Sequence, residues 1–166
     1  MQQQEQMGLK GIYKITHKRN GRVINEFEIE NGITNEGKDA LLDIMFHNDT
    51  QIGTWYFGLI DNSGYSAVAA GDTHASHAGW TENTDYSETV RQEWTEAAAS
   101  SQSIASSSNS DFSINATATI RGVFLANINT KGSTAAGTLW STVLFASAVS
   151  VVSGDTISIS YTLSVS

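Results

Sequence analysis

The 166-residue chain contains no cysteine and no proline, and only 16% of its residues are charged. Without cysteine there is no disulfide framework, no thiolate zinc site and no cysteine nucleophile. Without proline, edge strands lose one of their usual guards, so sheet edges are expected to be covered by the chain itself or paired with other subunits. Nowhere do eighteen apolar residues run together, which leaves no candidate membrane-spanning helix. The opening MQQQEQMGLK lacks the apolar core of a signal peptide, so export by the general route is not expected.

Basic charge is also scarce, with nine Lys and Arg against seventeen Asp and Glu. Residues 1–30 hold five of the nine (Lys10, Lys14, Lys18, Arg19, Arg22) and four acidic groups (Glu5, Glu26, Glu28, Glu30), a balance of +1. Four basic and thirteen acidic groups are left for residues 31–166, a balance of −9. An acidic body repels phosphate backbones, so no nucleic-acid partner is expected.

Motifs for familiar chemistry are missing as well. GITNEGK lacks the spacing of a phosphate-binding loop and the hydroxyl residue after its lysine, and GxGxxG, GxSxG and HExxH do not occur. The reading is therefore a non-enzyme with no cofactor and no metal.

What is present is β-pattern. Residues 1–8 are glutamine-rich and aperiodic and read as a flexible tail. Residues 9–30 read as a hairpin arm around Asn20-Gly21. A two-residue turn would set Tyr13 opposite Glu28, apolar against acidic. A three-residue loop, Arg19 to Gly21 with Gly21 left-handed, sets Tyr13 opposite Phe27 and Lys14 opposite Glu26, and is the expected form. Residues 31–166 read as one β-sandwich or jelly-roll-like domain, mainly β and antiparallel, with one short helix near 34–46. Thr34 or Asn35 can cap that helix, and Leu41, Leu42, Met45 and Phe46 fall on one face. The strand in TWYFGLID is apolar on both faces, which suits a central position covered on both sides. FSINATATI and the closing TISISYTLSV alternate apolar with polar residues and read as half-buried antiparallel strands. GTLWSTVLFASAVSVV supplies another strand or two.

Two segments invite a search for a site. Glu82, Asp85, Glu88, Glu93 and Glu96 surround Tyr86 and Trp94 and could form a sugar-binding groove with aromatic platforms; strands with acidic outer faces and inward aromatics are the preferred reading. In AAGDTHASHAGWTE, Asp72, His74 and His77 never converge in regular geometry: a strand puts the two histidines on opposite faces, and a helical turn that joins them sends Asp72 elsewhere. An irregular loop could still make them an ion site, and histidines at a contact could sense pH. The preferred reading is a turn opened by Gly71, Asp72 and Thr73 and closed by Gly79, delivering Trp80 to a core or subunit contact.

The series NGITNEGKDALLD, TWYFGLID, GDTHASHAGWTE, YSETVRQEW, GTLWSTVLF and VVSGDTISISYTLS, over roughly residues 31–166, resembles a group of small structural proteins encoded by tailed bacteriophages. Some of these resemble capsid decoration, or cement, proteins. The resemblance implies a virion protein on the capsid surface, made in the bacterial host cytoplasm. Its implied partners are the major capsid protein and copies of itself, as a homotrimer. Lys10, Tyr13, Lys14, Lys18, Arg19 and Arg22 of the hairpin would be the contact residues. His77, Trp80 and Trp94, with Gly71, Asp72, Thr73 and Gly79, would be a structural signature. A tail or baseplate component is the main alternative and a carbohydrate-binding module the remote one.

Overall fold

A computed structural model describes residues 8–166; most of the expected tail, residues 1–8, lies outside them. The chain is an antiparallel β-sandwich with one helix. Its elements, in order, are β1 (Leu9–Arg19), β2 (Arg22–Glu30), β3 (Gly32–Ile33), α1 (Asn35–Phe46), β4 (Tyr56–Asp61), β5 (Glu82–Asn83), β6 (Gln92–Glu93), β7 (Ser103–Ala105), β8 (Ser110–Ser113), β9 (Ala118–Ala126), β10 (Leu139–Val151) and β11 (Thr156–Val165). One sheet runs β2-β1-β11-β7, with β8 also on β11. The other runs β3-β10-β9-β4-β5, with β6 also on β4.

The expected N-terminal hairpin forms from β1 and β2 and is built into the first sheet. β1 pairs with β11 over its whole length from Leu9↔Val165 to Lys18↔Thr156, so it lies inside the first sheet. Tyr13 and Ile15, fully buried, belong to the main core. β1 and β11 thus supply inward side chains to the same core.

The turn also differs from the expected one. Arg19 pairs with Arg22 across a two-residue turn in which Asn20 (φ 50°) and Gly21 (φ 73°) are both left-handed. This is the primed turn that matches strand twist. A bulge at Ile24 then shifts the register, so that Tyr13 faces Ile29, Ile15 faces Phe27 and Lys14 faces Glu28. Apolar still meets apolar, but the extra residue sits in β2 and not in the turn.

FSINATATI is not one strand. Phe112 lies in β8 of the first sheet and Ile120 in β9 of the second, with the crossing at residues 114–117. Alternation survives the crossing because Ile114 is still buried between the sheets. β11 keeps its pattern in its second half: Ile159 and Tyr161 are buried and Ser160 and Thr162 are not, while earlier in the strand Ser158 is buried along with Ile157, its hydroxyl bonded to Asp111.

The segment TWYFGLID behaves as its double-sided apolar pattern predicts. Phe57 and Leu59 of β4 enter the core between the sheets, while Ile60 joins Trp80, Phe124, Ala126 and Leu139 in a second cluster. That second cluster is covered by Tyr65 and Val68 of the loop after β4. The AAGDTHASHAGWTE stretch thus belongs to a long loop laid over the outer face of the second sheet.

Candidate functional site

The residues between 72 and 82 meet those around 91 and 133 in the most crowded polar cluster of the molecule. Asp72 opens the loop as a turn residue: its carboxylate accepts from Ala69 N (2.9 Å) and from the indole Nε1 of Trp80 (2.9 Å). Thr73 closes a small turn with Ser76 through backbone and hydroxyl bonds. Gly79 packs so close to the Ala67 carbonyl that a β-carbon would collide with it. Trp80 is delivered to the core, 2% exposed, against Phe124 at 5.1 Å between ring centres. His77 stacks on Trp80 at 3.8 Å and 17° and shields its outer face. The turn reading of Gly71, Asp72, Thr73 and Gly79 therefore describes the geometry, and the contact Trp80 makes is with this chain's own core.

Of the two histidines in this loop, His74 is the more deeply buried. It is 2% exposed, and its ring bridges two elements. Nδ1 lies 2.6 Å from Ala135 O, and Nε2 lies 2.8 Å from Nη1 of Arg91. A guanidinium can only donate, so Nε2 is the acceptor and the ring proton sits on Nδ1, where the carbonyl takes it. The neutral tautomer is thereby fixed. Burial pushes the imidazole pKa down, and the charges of Arg91 and His77 push the same way.

Arg91 is the centre of the cluster and is also 2% exposed. Nε and Nη2 form a fork onto Glu82, at 2.9 and 2.8 Å. Nη2 also donates to Ser133 O at 3.1 Å, and Nη1 to His74 and to Ile128 O at 2.8 Å. All five guanidinium hydrogens are used, all on partners in this chain. Glu82 in turn accepts from Gly132 N at 2.6 Å. The backbone N–H of His74 reaches Glu36 at the start of α1 (2.9 Å), and Glu36 also accepts from Leu139 N (2.6 Å). One cluster thus pins the 69–80 loop, the 127–138 loop and the helix start to the second sheet. A cavity of about 160 Å³ lies beside it, lined by His74, His77, Trp80, Arg91 and Ser133 among others.

Asp72, His74 and His77 do not converge. Among the described residues no group of three or more His, Asp or Glu side chains is placed to hold a metal ion. The acidic residues around Tyr86 and Trp94 do not form a groove either. Glu82 is spent on Arg91, Asp85 accepts from Asn83 at 3.2 Å, Glu88 accepts from Ser113 N at 3.0 Å, and Glu93 and Glu96 are exposed. Trp94 is 6% exposed, donates its indole N–H to Ser106 at 3.0 Å and packs on Tyr161, so it offers no open platform.

The six hairpin residues expected to make contacts divide into three groups. Tyr13 is buried and bonds Ser141 Oγ at 2.7 Å, so it is a core residue and not a surface one. Lys10 and Lys14 pair with Glu30 (3.3 Å) and Glu26 (3.1 Å) on β2. Arg19 is committed to Asp155, which it meets through two nitrogens at 2.8 and 2.7 Å. Asp155 is itself buried, takes a further bond from His17 at 2.8 Å, and is held far below the ordinary carboxylate range chiefly by Arg19. Lys18 and Arg22 remain, at the hairpin tip.

No protein-family model matches the chain, and no curated protein matches it.

Proposed function

We propose that the chain is a non-enzymatic structural protein of a tailed-phage virion, a decoration protein that binds the outer surface of the capsid and stabilises the shell. Its partners in this reading are the major capsid protein and copies of itself, assembled as a trimer. The motif series along residues 31–166 supports the phage assignment. The observation that carries the structural role is the Arg91 cluster. The densest set of buried ionisable groups spends its donors on loops of the same chain, so it rigidifies a body and holds none of its guanidinium hydrogens free for a substrate. A cement protein draws its effect from many modest contacts repeated at high copy number, which the Ser, Thr and Asn surface of this chain suits.

Cryo-electron microscopy of virions carrying the chain tests the proposal. The expected result is density for the sandwich on the outer face of the head, in many copies. Density confined to the tail or baseplate overturns it. Purified chain added back to shells that lack it should raise the temperature at which the shells release their contents.

A further inference from the structure

Two exposed apolar patches lie at opposite ends of the first sheet. The first is on α1, where Leu42, Met45 and Phe46 are 54%, 63% and 81% exposed. Their spacing of three and four puts them on one face of the helix. Asp39 and Asp43 are exposed on the same helix, with Lys38 as its one cation. The second patch is the hairpin tip, where Val23 and Ile24 are 56% and 50% exposed. Val152, 38% exposed, lies in the next turn, which Asp155 ties to Arg19. Lys18 and Arg22 flank this tip, and among the described residues neither has a carboxylate within ion-pair distance. Asp39 and Asp43 likewise have no cation within that distance among the described residues.

The two patches cannot cover each other within one molecule. α1 packs near the Leu9 end of β1, and the tip is at the Arg19 end. Eleven residues of strand separate them by ~30 Å at about 3.3 Å per residue.

We propose that the patches are the two halves of one head-to-tail contact between copies of this chain, the basic apolar tip of one copy seated on the acidic apolar face of α1 in the next. Charge decides the pairing. Helix face against helix face would bring Asp39 and Asp43 onto their own copies, and tip against tip would oppose Lys18 and Arg22, whereas tip against helix pairs opposite signs around a shared apolar centre. In a chain of net charge −8, the tip is the surface that an acidic copy can approach without repulsion. Such a head-to-tail contact repeats around a closed ring, as three copies require. The inference takes from the proposed function only that copies of this chain meet. Its test uses the purified chain without any shell, so its failure leaves shell binding standing.

The test is sedimentation of two double variants, Met45→Asp/Phe46→Asp and Val23→Asp/Ile24→Asp, alone and mixed, with circular dichroism to confirm the fold. If the second does not fold, Lys18→Glu/Arg22→Glu replaces it. The wild-type chain should sediment above monomer mass and each variant alone as a monomer. An equal mixture should form a heterodimer, since it retains one intact tip and one intact helix face. A monomeric wild-type chain, a tip variant that still self-associates, or a mixture that stays monomeric overturns the proposal.

Discussion

Arg91→Met should be among the most damaging single substitutions away from the main core, and its cost can be worked from its partners. Glu82, whose side chain is 4% exposed, would lose the two charge-assisted bonds from Nε and Nη2 and keep Gly132 N and a long bond from the Tyr86 hydroxyl at 3.4 Å. Leaving a buried carboxylate without its cation costs about 3–5 kcal/mol. His74 Nε2, Ile128 O and Ser133 O would also lose a donor, and each acceptor left buried without a partner adds about 1 kcal/mol or more. The expected loss, about 6 kcal/mol or more, rivals the whole stability of a marginal domain. Arg91→Lys is the gentler probe, because it keeps the charge but offers three hydrogens from one nitrogen in place of five in a fork; about 2 kcal/mol is expected. Adding Glu82→Gln to Arg91→Met should restore part of the loss, since the orphaned charge is removed. Urea unfolding followed by tryptophan fluorescence measures all three, with the slope unchanged. The account is wrong if Arg91→Met costs less than about 1 kcal/mol, or if Glu82→Gln simply adds its own penalty.

Three further outcomes are expected. Because the folded pKa of His74 lies below its ordinary 6.5, the unfolded chain takes up the proton first: His74 contributes its full share of stability above pH 6.5 and loses it as pH falls from there toward the folded pKa, and His74→Gln should flatten that slope in a pH series of thermal melts. Asp72→Ala removes the acceptor for Ala69 N and for Trp80 Nε1 and should cost about 1.5–3 kcal/mol with a shift in tryptophan emission, while Asp72→Asn costs less. Gly37→Ala should destabilise in spite of the ~1 kcal/mol that helix propensity favours, because its β-carbon would stand 2.6 Å from Trp140 O; a raised melting temperature would refute that packing.

Strand patterning made most of the sandwich legible, because a period of two survives wherever one face is buried. What it could not supply was register. Tyr13 opposite Phe27 and Tyr13 opposite Ile29 both put apolar on apolar, and the choice between them rested on a bulge at Ile24 that no residue type there announces. The same limit hid the break in FSINATATI, since a chain that crosses between two sheets around one core keeps its inward side chains inward. The cluster at Arg91 was missed for a different reason. Its members, at 74, 82, 91, 128 and 133, come from separate segments, and only folding brings them together. One signal was available: residues 31–166 contain four basic groups, and Arg91 is the one cation among the carboxylates of residues 82–96, which makes it a candidate for an ion pair.

The helix shows that an apolar pattern leaves its neighbour open. The spacing of Leu41, Leu42, Met45 and Phe46 places them on one face, and Thr34, one of the two expected caps, caps the helix, its hydroxyl accepting from Gly37 N at 3.0 Å. Yet Gly37, Ala40, Leu41 and Ile44 form a second set at the same period, and it is this one that turns to the sandwich, where Gly37 packs against the Trp140 backbone and the rest line a cavity of about 220 Å³ with Trp55 and Trp140. Small residues win the inward side because the helix is drawn in close by Thr34, whose backbone N–H and hydroxyl both bond to Trp140 O, at 3.0 and 3.3 Å. Periodicity reports that a face is apolar and not which body covers it. The twelve-residue helix thus has two apolar faces, one packed on the sandwich and the other, Leu42, Met45 and Phe46, exposed among the described residues, and it is on this second face that the proposed contact between copies rests.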